Sequence, residues 1–115
     1  MTPLITDDQQ AVLRANGEAA RTTRDFDPAP VVKLFTPDAG ATWLLGAIDP
    51  ENPDLAYGLC DTGVGFPEIG WVSLAELRTV RGCMDLPVTR DTHFQAGKRL
   101  SAYAREARAA GRIMA

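Results

Sequence analysis

The sequence predicts an α+β fold: a small antiparallel meander sheet with an N-terminal helix, a short crossing helix and a C-terminal helix. Three observations lead there. Two dense turn signals, Thr36-Pro37-Asp38-Ala39-Gly40 and Asp49-Pro50-Glu51-Asn52-Pro53-Asp54, separate apolar runs of strand length. Connections this short join antiparallel neighbours. Two capping-box patterns, Thr6 to Gln9 and Ser73 to Glu76, each mark a helix start. Near the C-terminus, Leu100, Tyr103, Ala104 and Ala107 recur at the spacing of one helical face.

Taken in order, the first helix runs from Asp7 to about Asn16. Its first-turn aspartates suit the positive end of the helix dipole. Gly17 reads as a left-handed C-cap, and Glu18 to Arg24 as a frayed extension or a loop. Asp27-Pro28-Ala29-Pro30 excludes helix and leads into a β-branched strand, Val31–Phe35. Ala41–Ile48 is nearly all apolar, as a strand buried on both faces should be. Leu55–Cys60 gives the third strand, and Trp71-Val72 a short fourth. The second helix begins after Ser73 and reaches Val80 or Arg81, with Gly82 ending it. Leu86–Arg90 contains Pro87, which an edge strand tolerates. Ser101 is the expected N-cap of the last helix, which ends at Ala110 before Gly111.

At 115 residues the chain is expected to form a single domain, 1–115. No apolar run approaches the ~18–20 residues of a membrane span, so no membrane association is expected. The N-terminus MTPLITDDQQ lacks both a basic region and an apolar core, so the expected location is cytoplasmic. Cys60 and Cys83 are two lone thiols and His93 is the single histidine, so neither a metal site nor a cofactor is expected.

Charge is distributed unevenly. Between Leu34 and Leu77 the chain carries seven acids (Asp38, Asp49, Glu51, Asp54, Asp61, Glu68 and Glu76) and no Lys or Arg. Residues 78–115 carry eight bases against three acids, yet the whole chain has a net charge of −3. The acids cluster at turns, where exposure is expected. Alternate turns of a meander reach the same end of the sheet, so several of these acids can share a surface. Such a face attracts a basic partner. Asp38, Asp49, Glu51, Asp54, Asp61 and Glu68 are the candidate partner-binding residues, with Phe66 and Trp71 as aromatic anchors.

Asp61-Thr62-Gly63 follows Leu59-Cys60, as an aspartic-protease carboxylate would. Val64 stands where a small residue is usual, and no later segment supplies the supporting loop. An Asx turn, with Gly63 and Gly65 at unusual φ, explains the same residues. No catalytic residue and no enzymatic activity are expected. Gly63-Val64-Gly65 lacks the third glycine, the following helix and the lysine of a phosphate cradle. Arg105, Arg108 and Arg112 recur at i, i+3, i+7 and form an alternative, nucleic-acid-facing stripe. A sequence pI of about 5.0 disfavours direct nucleic-acid binding.

Set end to end, Pro30-Val31-Val32-Lys33-Leu34-Phe35-Thr36-Pro37-Asp38, Ala41-Thr42-Trp43-Leu44-Leu45, Gly58-Leu59-Cys60-Asp61, Gly65-Phe66-Pro67-Glu68, Gly70 and Ser73-Leu74 resemble a known family. It is a small domain of unknown function of bacterial plasmids, prophages and conjugative elements. Similar domains lie beside antirestriction and DNA-processing modules in polyvalent proteins. The resemblance covers most of residues 4–113. It implies a setting in which restriction and CRISPR immunity must be survived. The functional expectation is an antagonist of host defence, of anti-CRISPR type. Its acidic face would bind a basic nucleic-acid site on a protein subunit of a defence complex. The alternative is a DNA-associated accessory module for conjugation or plasmid maintenance, acting through the C-terminal helix.

Overall fold

The computed structural model describes residues 4–115. Met1 to Pro3, the start of the segment read above as lacking a leader, lie outside the described residues. In chain order the elements are α1 (Asp7–Thr22), β1 (Val32–Phe35), β2 (Thr42–Asp49), β3 (Asn52–Asp61), β4 (Glu68–Ser73), α2 (Leu74–Leu77), β5 (Thr89–Arg90) and α3 (Leu100–Ala110). The sheet is antiparallel throughout, in the order β4-β3-β2-β1-β5. Strands β1 to β4 form the expected meander, and β5 is the expected edge strand.

Alternation along the central strands creates two cores. Trp43, Leu45 and Ile48 of β2 and Ala56 of β3 pack with Leu13 of α1 and Leu74 and Leu77 of α2. Leu44 and Leu59 lie on the opposite face and pack with Leu100, Tyr103, Ala104 and Ala107 of α3. All four residues of the expected α3 face are buried. β2 has helices on both faces, which explains its continuous apolar run.

α1 begins as expected. The Gln9 N–H donates to Thr6 Oγ1 at 3.1 Å, and the Thr6 N–H donates to Gln9 Oε1 at 3.0 Å. The helix does not stop at Gly17, however, and continues to Thr22. β1 pairs with β2 over Thr42–Leu45, which leaves the later part of β2 without a strand on that side. α1 covers this part. Asn16 donates to the Gly46 carbonyl at 2.9 Å, and Gly17 lies against the Ile48 backbone. Gly17 is therefore a close-approach glycine and not a C-cap.

The second turn is tighter than expected. Asp49 pairs with Asn52, leaving Pro50 and Glu51 as the tip, and β3 starts at Asn52. Pro53 is tolerated inside β3 because β4 pairs only from Leu55 onward. β4 is longer than Trp71-Val72, and its six residues keep an uninterrupted register with β3. α2 is shorter than expected. The Thr79 and Val80 N–H groups bond back to Glu76 and Leu77 in tightened turns, and Arg81 bridges to Pro87.

The start of α3 corrects another expectation. Arg99 is the N-cap residue and has no side-chain cap bond. The capping carboxylate comes from Asp27, which accepts from the Ser101 N–H at 3.0 Å and from the Ser101 hydroxyl. Pro28 accepts from the Leu100 N–H at 2.9 Å. The segment after α1 is thereby tied to the N-terminus of α3.

Candidate functional site

The meander sends the candidate acids to two ends of the sheet. Asp49, Glu51 and Asp54 lie at the β2–β3 hairpin. Asp38, Asp61 and Glu68 lie at the opposite end, where Thr42 pairs with Asp61 and Cys60 with Glu68. The six candidates therefore divide into two groups of three, one at each end of the sheet.

Three of the six are engaged in holding the fold. Asp61 is 2% exposed. Its Oδ1 accepts from the Gly63 N–H at 2.8 Å, making the expected Asx turn, with Gly63 at φ 87 and Gly65 at φ 90. Its Oδ2 accepts from the Ile113 N–H at 3.0 Å, which ties the C-terminal segment to β3. A carboxylate so enclosed is not a contact residue, and the expectation of an exposed Asp61 is corrected. It lies on the inward-facing row of β3 with Leu59, and its second donor is 52 positions away.

Asp38 accepts from the Met84 and Leu86 N–H groups, and the Asp38 carbonyl accepts from the Cys83 thiol at 2.9 Å. It organises the 82–86 loop. Asp54 accepts from the Ser73 hydroxyl and, at 2.8 Å, from the Ala75 N–H. These bonds, the Ser73 hydroxyl foremost and the Ala75 N–H next, hold the Asp54 carboxyl below its ordinary value. Ser73 in turn accepts from the Glu76 N–H, so Asp54 is the outer part of the α2 cap.

Asp49 and Glu51 remain at the hairpin surface. Asp49 Oδ1 accepts from the Glu51 N–H at 2.9 Å. Glu51 pairs with Arg21 at 2.6 Å, and Arg21 also lies 3.8 Å from Glu18. The Glu51 hydrogen bond and charge raise the Arg21 pKa further, so its guanidinium stays charged.

Trp71 is 56% exposed, and its ring centroid lies 5.2 Å from that of Tyr57 at an interplanar angle of 56°. Tyr57 pairs with Ala47 on one side and Trp71 on the other, forming a row across three strands. Pro28 and Leu100 cover Gly46 next to this row. Beyond them opens a groove of about 490 Å³, enclosed by the end of α1, the segment after it and the hairpin. Arg21, Asp25, Phe26, Asp49, Glu51, Tyr57 and Trp71 contribute to its lining. Asp25 holds φ 56, a left-handed conformation that Asp tolerates better than most residues.

The structure thus brings together Asp49, Glu51 and Trp71 from the expected set. Sequence reasoning missed Arg21, Asp25, Phe26 and Tyr57. The sequence signal for Tyr57 was its position in a strand adjoining the acidic turn. The other three depended on α1 extending past Gly17.

Phe66 is 77% exposed but lies at the far end. It borders a separate hollow with Glu68 and Arg108. Arg105 and Arg108 are exposed on α3, whereas Arg112 lies beyond the left-handed Gly111 that ends the helix. It lines a different hollow with Lys33, Asp61 and Asp91, so the three-arginine stripe is broken. Lys98 pairs with Glu106 and lies 4.8 Å from the Tyr103 ring centroid. Trp43 is 4% exposed and belongs to the core.

Among the described residues no group of three or more His, Cys, Asp or Glu could hold a metal ion. None of the described helices is long and apolar enough to cross a membrane.

Fold and site together define a small α+β fold with an open groove lined by Phe26, Tyr57 and Trp71 and by Arg21, Asp25, Asp49 and Glu51. The chain belongs to DUF2958, a family of proteins of unknown function, whose model matches residues 4–114. No curated protein and no solved structure matches it.

Proposed function

We propose that this protein is a binding module that antagonises a host defence system, of anti-CRISPR type. It engages a basic nucleic-acid-binding surface on a protein subunit of an effector complex. The observation that carries this reading is the convergence of Asp49, Glu51 and half-exposed Trp71 on one groove. Charge at the rim draws in and orients a basic surface, and an aromatic side chain supplies the apolar contact. The acid-only character of residues 34–77 supports the same direction of charge. The resemblance to a mobile-element family supplies the biological setting.

The acidic face is narrower than six residues. It consists of the hairpin end, and Asp38 and Asp61 act through folding. The test is protection of an incoming phage or plasmid in a host with active CRISPR or restriction systems. The wild-type chain should protect. Asp49→Asn combined with Glu51→Gln, which keeps shape and removes charge, should reduce protection severalfold. Undiminished protection by that pair would contradict the charge-driven reading.

A further inference from the structure

The groove has a chemistry more specific than negative charge. Its lining includes the carboxylates of Asp25, Asp49 and Glu51 against the single guanidinium of Arg21. Arg21 is already committed to Glu51 at 2.6 Å. Three carboxylates against that one guanidinium, whose charge Asp49 also feels, leave the lining with an excess of negative charge alongside Tyr57 and Trp71. A flat, weakly hydrated cation satisfies both features, because it stacks on an indole while its N–H groups reach carboxylates. Lysine stacks less well and offers no planar fork.

We propose that the groove receives an arginine side chain of the partner's basic segment, stacked on Trp71 and hydrogen-bonded at the Asp25/Asp49 rim. This rests on the antagonist reading for the partner's identity, but the groove chemistry is tested independently of it. Arg21 shows that a guanidinium is accommodated at this rim by Glu51. The incoming arginine takes Asp25 and shares the charge of Asp49 with Arg21.

The test is a two-dimensional NMR titration of the intact protein with a short Gly/Ser peptide carrying arginine. Its lysine and citrulline counterparts and spermidine serve as parallel probes. The arginine peptide should shift the Trp71 indole N–H together with the Asp25 and Asp49 amides, and added salt should reverse the effect. The lysine peptide should bind more weakly and the citrulline peptide should not bind. Trp71→Ala should weaken arginine binding about tenfold. Asp25→Asn, a change on an exposed loop that leaves the ring in place, should weaken it as well. Equal shifts with citrulline, equal or tighter binding of spermidine, or shifts centred on Phe66 and Glu68 would each overturn the proposal. Protection lost on hairpin neutralisation, without arginine binding in the groove, would sink this inference and leave the antagonist reading intact. Arginine binding with undiminished protection would do the reverse.

Discussion

Gly17→Ala should destabilise the protein, against the ordinary rule for helices. In a helix interior, alanine is favoured over glycine by about 1 kcal/mol. At Gly17 an added Cβ would overlap the Ile48 carbonyl oxygen, with the Ile48 carbonyl carbon at 3.1 Å and Pro50 Cδ at 3.2 Å. The obstacle is strand backbone, which cannot rotate aside as a side chain can. The helix must therefore retreat from β2. Overpacking of this kind costs about 1–3 kcal/mol, and this site belongs at the upper end. The Asn16 to Gly46 hydrogen bond is then stretched, at about 1 kcal/mol more. Setting the intrinsic gain against these terms leaves a net loss of about 2–3 kcal/mol. For a domain of this size, that lowers Tm by about 8–15 °C. Urea unfolding followed by circular dichroism measures it, with exposed Ala15→Gly as the ordinary-helix comparison, losing about 1 kcal/mol. A Gly17→Ala protein as stable as the parent would refute the close packing of α1 on β2, and with it the α1 wall of the groove.

Three further outcomes follow from buried and capped groups. Asp61→Asn should cost about 1–3 kcal/mol, because its amide group must face one of two backbone donors; amide exchange at Ile113 should accelerate, and unchanged exchange would be contrary. The lowered Asp54 pKa contributes stability that is present above the ordinary carboxylate value and is lost as pH falls through the folded value. Acid unfolding below about pH 4 should therefore flatten in Asp54→Asn, and identical wild-type and variant profiles would contradict the cap. Burial pushes the Cys60 thiol up to about 11, whereas Cys83 is exposed. A thiol reagent at pH 8 should modify Cys83 well before Cys60; equal rates would oppose this.

The legible parts of the fold were those governed by neighbours in sequence. The Thr6–Gln9 box and the meander turns depend on partners within a few residues, the α3 face shows in its own periodicity, and all are present. Three of the errors share one physical cause, a partner far along the chain. Gly17 resembles a helix end until Ile48 is placed beside it. Ser101 resembles a cap until Asp27 takes that role from 74 positions away. Asp61 resembles a surface acid until Ile113 donates to it.

The site was legible in part for the same reason. Asp49 and Glu51 share a turn, and Trp71 was visible as an aromatic near acids. Only strand register places Trp71 beside Tyr57, and only the full length of α1 carries Arg21 to the rim. An acidic count over residues 34–77 says nothing of which acids bond backbone N–H groups. Asp38, Asp49, Asp54 and Asp61 do, and only Asp61 is buried as well, which removes it from any docking face.

Affinity capture from a host carrying CRISPR and restriction systems tests the central claim most directly. Wild-type protein and a triple variant (Asp49→Asn, Glu51→Gln, Trp71→Ala) serve as matched baits, each confirmed folded. The account predicts a basic nucleic-acid-binding subunit of a defence complex retained by the wild type, depleted on the variant and released by competing nucleic acid. Equal retention on both baits, or retention that depends instead on Arg105 and Arg108, would contradict it.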